Sequence, residues 1–256
     1  MIRWFFSKMP FQRIAIVPFS GILSRRSIDE YMLIFKYLEE AKNIKAVILE
    51  LECPGGSAVA SEILFHRLKR LNDKKPLYCY AIMAASGGYL AAIGARKIFS
   101  PATALIGSIG VLSMKPVFKD FMERFGIRLE VMKKGAMKDM GLFHRDSTDD
   151  EKRSWDAINE AIYERFIEIV ADRRMIQKDR VKEFATGELF NALKAKEMGL
   201  IDGVSDFDSF LEKISEETGV RMERVITIKP RKPFLKRIAL ESAQIFYDEL
   251  YRRMYL

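Results

Sequence analysis

The sequence predicts an α/β fold built on a parallel sheet, and three observations carry that prediction. Residues 44–52 (IKAVILELE) and 77–83 (LYCYAIM) are near-continuous apolar runs, the pattern of strands covered on both faces. Each run ends in a glycine-rich turn that opens a helical pattern, so strand, turn and helix occur twice in succession. Hydrophobic residues make up 49% of the 256, against 30% charged, enough to bury a sizeable core and too apolar for a disordered chain.

The elements follow in order. Residues 12–19 (QRIAIVPF) read as a first strand, and Gly21 as the turn behind it. Ser27 is placed to cap an amphipathic helix reaching about residue 41. After the strand at 44–52, Pro54-Gly55-Gly56 breaks the run and Ser57 can cap a helix to about residue 71. The strand at 77–83 leads to Ser86-Gly87-Gly88 and a short small-residue helix ending near Ala95. Residues 77–95 are uncharged and long enough to span a bilayer, but the central glycines favour a buried strand and helix. Residues 107–111 (GSIGV) read as a strand, 116–125 as a helix and 127–132 as a strand. Residues 133–146 lack periodicity and read as an exposed loop. Thr148 and Glu151 form a capping box. The helix it opens carries Trp155, Ile158, Ile162, Phe166 and Ile169 on one stripe. Shorter helices are predicted around 179–184, 192–198 and 207–213, an edge strand at 221–229, and a basic amphipathic helix over 233–255.

The net charge is +8, but it is not spread evenly. Residues 1–13 carry +3 and residues 221–256 carry +5, which leaves the body neutral. A neutral body argues against a nucleic-acid groove, while basic ends suit an anionic surface. The organisation expected is a basic aromatic segment at 1–11, one domain at 12–220, and a basic extension at 221–256. No secretory signal or spanning segment is read, which leaves a cytoplasmic location open. Cys53 and Cys79 are too few and too far apart for a zinc cluster or a disulfide framework, and both read as buried small hydrophobes.

Chemistry is expected at the two glycine turns, since ligands of open α/β sheets sit outside the carboxyl ends of the strands. Neither turn matches a phosphate loop or a dinucleotide fingerprint. Ser86 lies between a buried strand and a helix start, with glycines behind it. That is how a nucleophile is presented at an elbow, with the Gly87 N–H within reach of a developing oxyanion. The competing reading makes Ser86 a simple helix cap. A serine nucleophile also needs a base. His66 falls among Arg67 and Lys69 on a helix, and His144 lies in the exposed loop with no evident carboxylate partner. A neutral lysine is the other option, and Lys133, Lys134 and Lys138 all lie in the loop at 133–146.

The ordered set of motifs resembles the signal peptide peptidase A family of membrane-linked serine peptidases. It comprises Cys53-Pro54-Gly55-Gly56-Ser57, Ala85-Ser86-Gly87-Gly88-Tyr89, Gly107-Ser108-Ile109-Gly110-Val111 and Lys134-Gly135-Ala136-Met137-Lys138-Asp139, and continues to Ala195-Lys196-Glu197-Met198-Gly199-Leu200-Ile201-Asp202. It spans roughly residues 12–215. The resemblance implies a ClpP/crotonase-like fold, a repeated β-β-α superhelix around a parallel sheet. It also implies a Ser–Lys dyad with Ser86 as nucleophile, Lys138 as general base and Ser108 orienting the lysine. The backbone N–H groups of Gly56 and Gly87 would form the oxyanion hole, and no cofactor or metal is required. The implied substrates are signal-peptide-like or other small hydrophobic peptides. The implied assembly is a homo-oligomeric ring, an octamer, in which serine and lysine come from adjacent protomers, with peripheral membrane contact. Departures from the family pattern are Lys134 in place of a serine, Ala136 in place of a lysine, and Gly187-Glu188-Leu189-Phe190-Asn191 as a loose version of a more glycine-rich stretch. Two other readings fit the same fold, a crotonase-type acyl-CoA enzyme and a catalytically silent membrane scaffold.

Overall fold

A computed structural model of the chain describes residues 11–230; the basic helix expected at 233–255 and most of the aromatic segment at 1–11 lie outside the described residues. The strands are β1 (Arg13–Ser20), β2 (Ile44–Cys53), β3 (Leu77–Ala85), β4 (Lys97–Ser100), β5 (Leu105–Gly107), β6 (Leu189–Asn191), β7 (Gly203–Val204) and β8 (Val225–Thr227). They form one sheet in the order β6-β5-β3-β2-β1-β8, with β4 pairing both β3 and β7. All pairs are parallel except β5 with β6. The helices are α1 (Arg25–Glu40), α2 (Ala58–Lys74), α3 (Gly87–Ala92), α4 (Lys119–Arg124), α5 (Asp149–Arg174), α6 (Lys178–Phe184), α7 (Ala192–Glu197) and α8 (Phe207–Thr218). The predicted α/β class with a mostly parallel central sheet is the one observed.

Strand side chains alternate between two buried faces, as the pleat requires. Ala15, Val17, Val47, Leu49, Leu77 and Cys79 enter the larger core beneath α1, α2 and α5. Ile14, Ile16, Ile48, Tyr78 and Tyr80 face the other way, onto Phe210, Leu211 and Ile214 of α8. Each fully buried large side chain contributes at most about 1.5–3 kcal/mol, so both layers are needed to hold the sheet. Both cysteines are buried and free, as the sequence implies.

Several elements differ from their sequence reading. Ser24, not Ser27, caps α1; Ser27 occupies the third helical position and returns the bond to the Ser24 N–H. The strand expected at 107–111 lies at Leu105–Gly107, because Ser108 turns to φ 50° and ends the ladder. The helix expected at 116–125 is only Lys119–Arg124. Residues 127–132 form no strand, since alternation alone cannot hold a strand without a neighbour to pair with. The stripe on α5 divides: Phe166 and Ile169 are buried, whereas Trp155 and Ile162 are half-buried and Ile158 is exposed. The short strands β4, β6 and β7, two to four residues each, carry too little pattern to be read from sequence. The edge strand predicted within 221–229 is present as β8, beside β1.

Candidate active site

The carboxyl ends of β2, β3 and β5 bring three turns together. Register pairs Cys53 with Ala84, and Ala85 with Gly107, so Ser86 lies between the Pro54-Gly55-Gly56 turn and Ser108. The Ser86 N–H donates to the Gly107 carbonyl at 2.8 Å. Ser86 itself sits at φ 52° and ψ −123°, a conformation that disfavours any side chain and costs about 1–3 kcal/mol. Its side chain makes no capping hydrogen bond, and among the described residues no side chain bonds its hydroxyl. Ser57 behaves oppositely and accepts from the Ala60 N–H at 3.4 Å, as a cap should. Ser86 thus starts the helix through its carbonyl, which accepts from the Tyr89 and Leu90 N–H groups, while its hydroxyl takes no part in capping.

The glycines are there because other atoms occupy the space a Cβ would need. A Cβ at Gly55 would lie 2.8 Å from the Ser86 Cβ, and one at Gly87 would lie 2.0 Å from the buried Ser61 hydroxyl. The same position at Gly87 is 3.6 Å from the Gly56 nitrogen, so the two turns lie backbone to backbone. Among the described residues, neither the Gly56 nor the Gly87 N–H takes part in the turn and cap hydrogen bonds around it. Gly87 opens α3, where its N–H has no partner within the helix. Two such N–H groups beside a strained serine can receive the oxyanion of a tetrahedral intermediate. The Tyr89 hydroxyl, fully buried, donates to the Leu200 carbonyl at 2.8 Å and pins α3 from behind. Cys53 lies under this turn and accepts from the Gly55 N–H at 3.4 Å; burial pushes its thiol pKa up, which keeps it protonated and unreactive.

Lys138 is placed differently. From residue 111 through 138 no side chain is buried, and Lys138 is exposed. No hydrogen bond joins it to Ser86 or Ser108 among the described residues, so this single chain brings together Gly56, Ser86, Gly87 and Ser108 but not Lys138. The other lysines of the loop are sorted by their contacts. Lys133 Nζ donates to the Asp139 carboxylate at 2.5 Å and to the Ala136 carbonyl at 2.9 Å, while Lys134 and Lys138 show no such engagement. His66 Nε2 lies 3.5 Å from Glu62 on the exposed face of α2.

The loop at 133–146 is more ordered than its composition suggests. His144, for which the sequence offers no carboxylate, lies with Nε2 3.6 Å from Asp139. Asp139 is itself buried and accepts from Arg145 Nε at 3.1 Å and from the Arg145 terminal nitrogen at 2.8 Å. The same guanidinium holds the buried Glu151 carboxylate at 2.5 and 2.9 Å, and Glu151 accepts from the Thr148 N–H. Hydrogen bonds from Arg145 and then Lys133 hold the Asp139 carboxyl well below the usual range, and Arg145 and then Thr148 hold Glu151 down at about 2. The sequence betrays Glu151 through its capping box, but offers no signal for Asp139 and Arg145, whose pairing needs the folded loop.

A strained serine beside two glycine turns on a mostly parallel sheet is an arrangement that a serine-type hydrolase can use. The family model for peptidase family S49 matches residues 69–221, and the chain belongs to that family of serine peptidases. A Synechocystis sp. protein described as a candidate protease, slr0021, is 28% identical over 245 residues, covering 94% of this chain and 88% of that protein. The chloroplastic serine protease SPPA of Arabidopsis thaliana is 26% identical, over 82% of this chain but only 31% of its own length. A mutant of the 1510-N membrane-bound stomatin-specific protease, solved with a substrate peptide, superposes with a TM-score of 0.56 at 18% identity. That match covers 90% of this chain and 97% of the other and shows a common fold. Membership of a peptidase family sets aside the acyl-CoA reading. Among the described residues, no helix is long and apolar enough to cross a membrane.

Proposed function

We propose that this serine peptidase works by a Ser–Lys dyad, with Ser86 as nucleophile, Lys138 as general base and Ser108 orienting the lysine amine. The observation that carries the reading is the strained Ser86, its hydroxyl free of capping bonds, beside the Gly56 and Gly87 turns. In the acylation step the neutral Lys138 amine accepts the Ser86 hydroxyl proton as Oγ attacks the scissile carbonyl. The oxyanion accepts hydrogen bonds from Gly56 and Gly87. Collapse expels the amine product, which takes the proton back from Lys138 and leaves an acyl-serine. Water then attacks the acyl carbonyl while giving a proton to Lys138, and as the Oγ–acyl bond breaks to release the acid, Ser86 Oγ takes that proton back, restoring the hydroxyl and the neutral amine.

The exposed arm that carries Lys138 supports a site completed between protomers. Phe121 and Phe125 of α4 stay 58% and 64% exposed in the single chain, an apolar surface suited to a neighbouring copy of a homo-oligomeric ring. Burial there would also desolvate Lys138 and favour its neutral form. Signal-peptide-like or other small hydrophobic peptides are the substrates, consistent with the exposed Ile22 beside the Gly56 turn and Val59 just after it. Peripheral membrane contact completes the proposal. Ser86→Ala and Lys138→Ala should each abolish cleavage of a fluorogenic hydrophobic peptide. Mixing the two inactive proteins under verified subunit exchange should restore part of the activity. Retained activity in Lys138→Ala, with loss in His144→Ala, would transfer the base role to histidine.

A further inference from the structure

The chain leaves the body after Ile109 and contributes no buried residue until Asp139, immediately after Lys138. The proposed base therefore hangs from an arm with one buried attachment, and that attachment is electrostatic. Asp139 and Glu151, with side chains 5% and 1% exposed, share the single guanidinium of Arg145. Glu151 belongs to α5, where it returns the capping bond to Thr148. Arg145 thus ties the residue next to Lys138 to the first turn of a long helix whose far end is packed in the core. Arg145 also donates to the Asp146 carbonyl at 2.9 Å, fixing its own backbone turn. On the other side, Lys133 closes the Gly135-Ala136-Met137 turn by bonding both Ala136 and Asp139, and the Lys138 N–H donates to the Gly135 carbonyl at 3.2 Å. Both ends of the lysine turn meet at one carboxylate.

We propose that Asp139, Arg145 and Glu151 form a clamp that positions the Lys138 turn for proton transfer. The proposal rests on the reading of Lys138 as the base. These are positioning residues: they reach the reaction only through the lysine. A general base must sit within hydrogen-bond reach of its proton, and displacement of about 1 Å can cost about a hundredfold in rate. Two buried carboxylates on one guanidinium set the turn against α5 in a single geometry, because the bidentate fork tolerates little rotation.

The test uses the assembled full chain with a fluorogenic peptide, and compares Asp139→Asn, Glu151→Gln and Arg145→Lys with the unaltered protein. Each should lower kcat by about a hundredfold with KM nearly unchanged, since the misplaced group acts in the chemical step. Thermal unfolding and circular dichroism accompany every variant. Ser86 labelling by a fluorophosphonate supplies the coupling test: Asp139→Asn should slow labelling when Lys138 is intact, yet add no further loss in a Lys138→Ala background. Normal kcat in both Asp139→Asn and Glu151→Gln, with Lys138→Ala inactive, overturns the clamp and leaves the Ser–Lys reading standing. An equal loss of labelling in both backgrounds, or loss of the fold, also overturns it, because the cluster is then a foundation of the body. An active Lys138→Ala sinks the Ser–Lys reading itself, and the clamp's role falls with it.

Discussion

Residues 13–110 and residues 111–147 hold reactive side chains in two different ways. In the first region Ser86 stands on β3, with β2 and β5 on either side and fully buried residues of α3 directly behind it. The core there is large enough to force a serine to φ 52° and to hold two glycine turns in contact with it. The second region has no such core. Its apolar side chains, among them Met114, Phe121, Phe125 and Met132, face outward, and its fixed point is a cluster of charges. Hydrophobic burial is non-directional and can pay for strain over a whole sheet, whereas ion pairs fix one geometry at one place. The proposed nucleophile is thus held by a packed core within one chain, whereas the proposed base is fixed only locally, by charges.

The comparison can be broken most decisively at Ser86. Ser86→Gly should lower kcat/KM by at least about 10⁴-fold if this serine is the nucleophile. The same change relieves the left-handed strain and should raise unfolding stability by about 1 kcal/mol after glycine's own entropy cost. Denaturant unfolding beside peptide cleavage checks both signs; a destabilised variant would mean that the core does not carry the strain. Next in size is Gly87→Ala, whose methyl would meet the Ser61 hydroxyl. It should cost about 1–3 kcal/mol of stability along with activity, and Ser61→Gly should recover part of both.

The arm should respond in the opposite sense. Phe121→Ser and Phe125→Ser should change the unfolding stability of the isolated chain by no more than about 0.5 kcal/mol. Sedimentation velocity should nevertheless show the assembly falling to smaller species, and unchanged sedimentation would remove the arm from the interface. The smallest effect is expected from acid. Glu151 has a folded pKa near 2 against an ordinary 4.5, so its stabilisation is complete above the ordinary value and lost as pH falls between the two. Asp139 acts in the same direction. The groups facing this pair are Arg145, Lys133, His144 and Lys115. Pepsin at descending pH should therefore cut within 111–147 before the near-ultraviolet dichroism of the body is lost. Simultaneous loss of both would show that arm and body unfold as one unit.

How far the sequence reaches follows from these same particulars. The strands at 44–53 and 77–85 are legible because burial on both faces demands long apolar runs, and a parallel sheet follows from the helices between them. Ser86 and Gly87 stand out as candidates because a serine backed by glycines between a buried strand and a helix start suits a nucleophile's elbow, whereas Gly56 is reached through family resemblance. Ser108 and Lys138 were reached through family resemblance, since neither periodicity nor composition singles them out. Tertiary structure alone decided the rest. Ser24 displaced Ser27 as the cap of α1 because capping depends on where the chain enters the helix, which Ile22 and Leu23 set by packing against the Gly56 turn. Residues 127–132 alternate like a strand but form none, because a strand exists only with a ladder partner. Asp139 and Arg145 look like ordinary solvated charges in a loop. Only folding brings them onto Glu151, because the attraction between opposite charges depends on distance in space and not on distance along the chain.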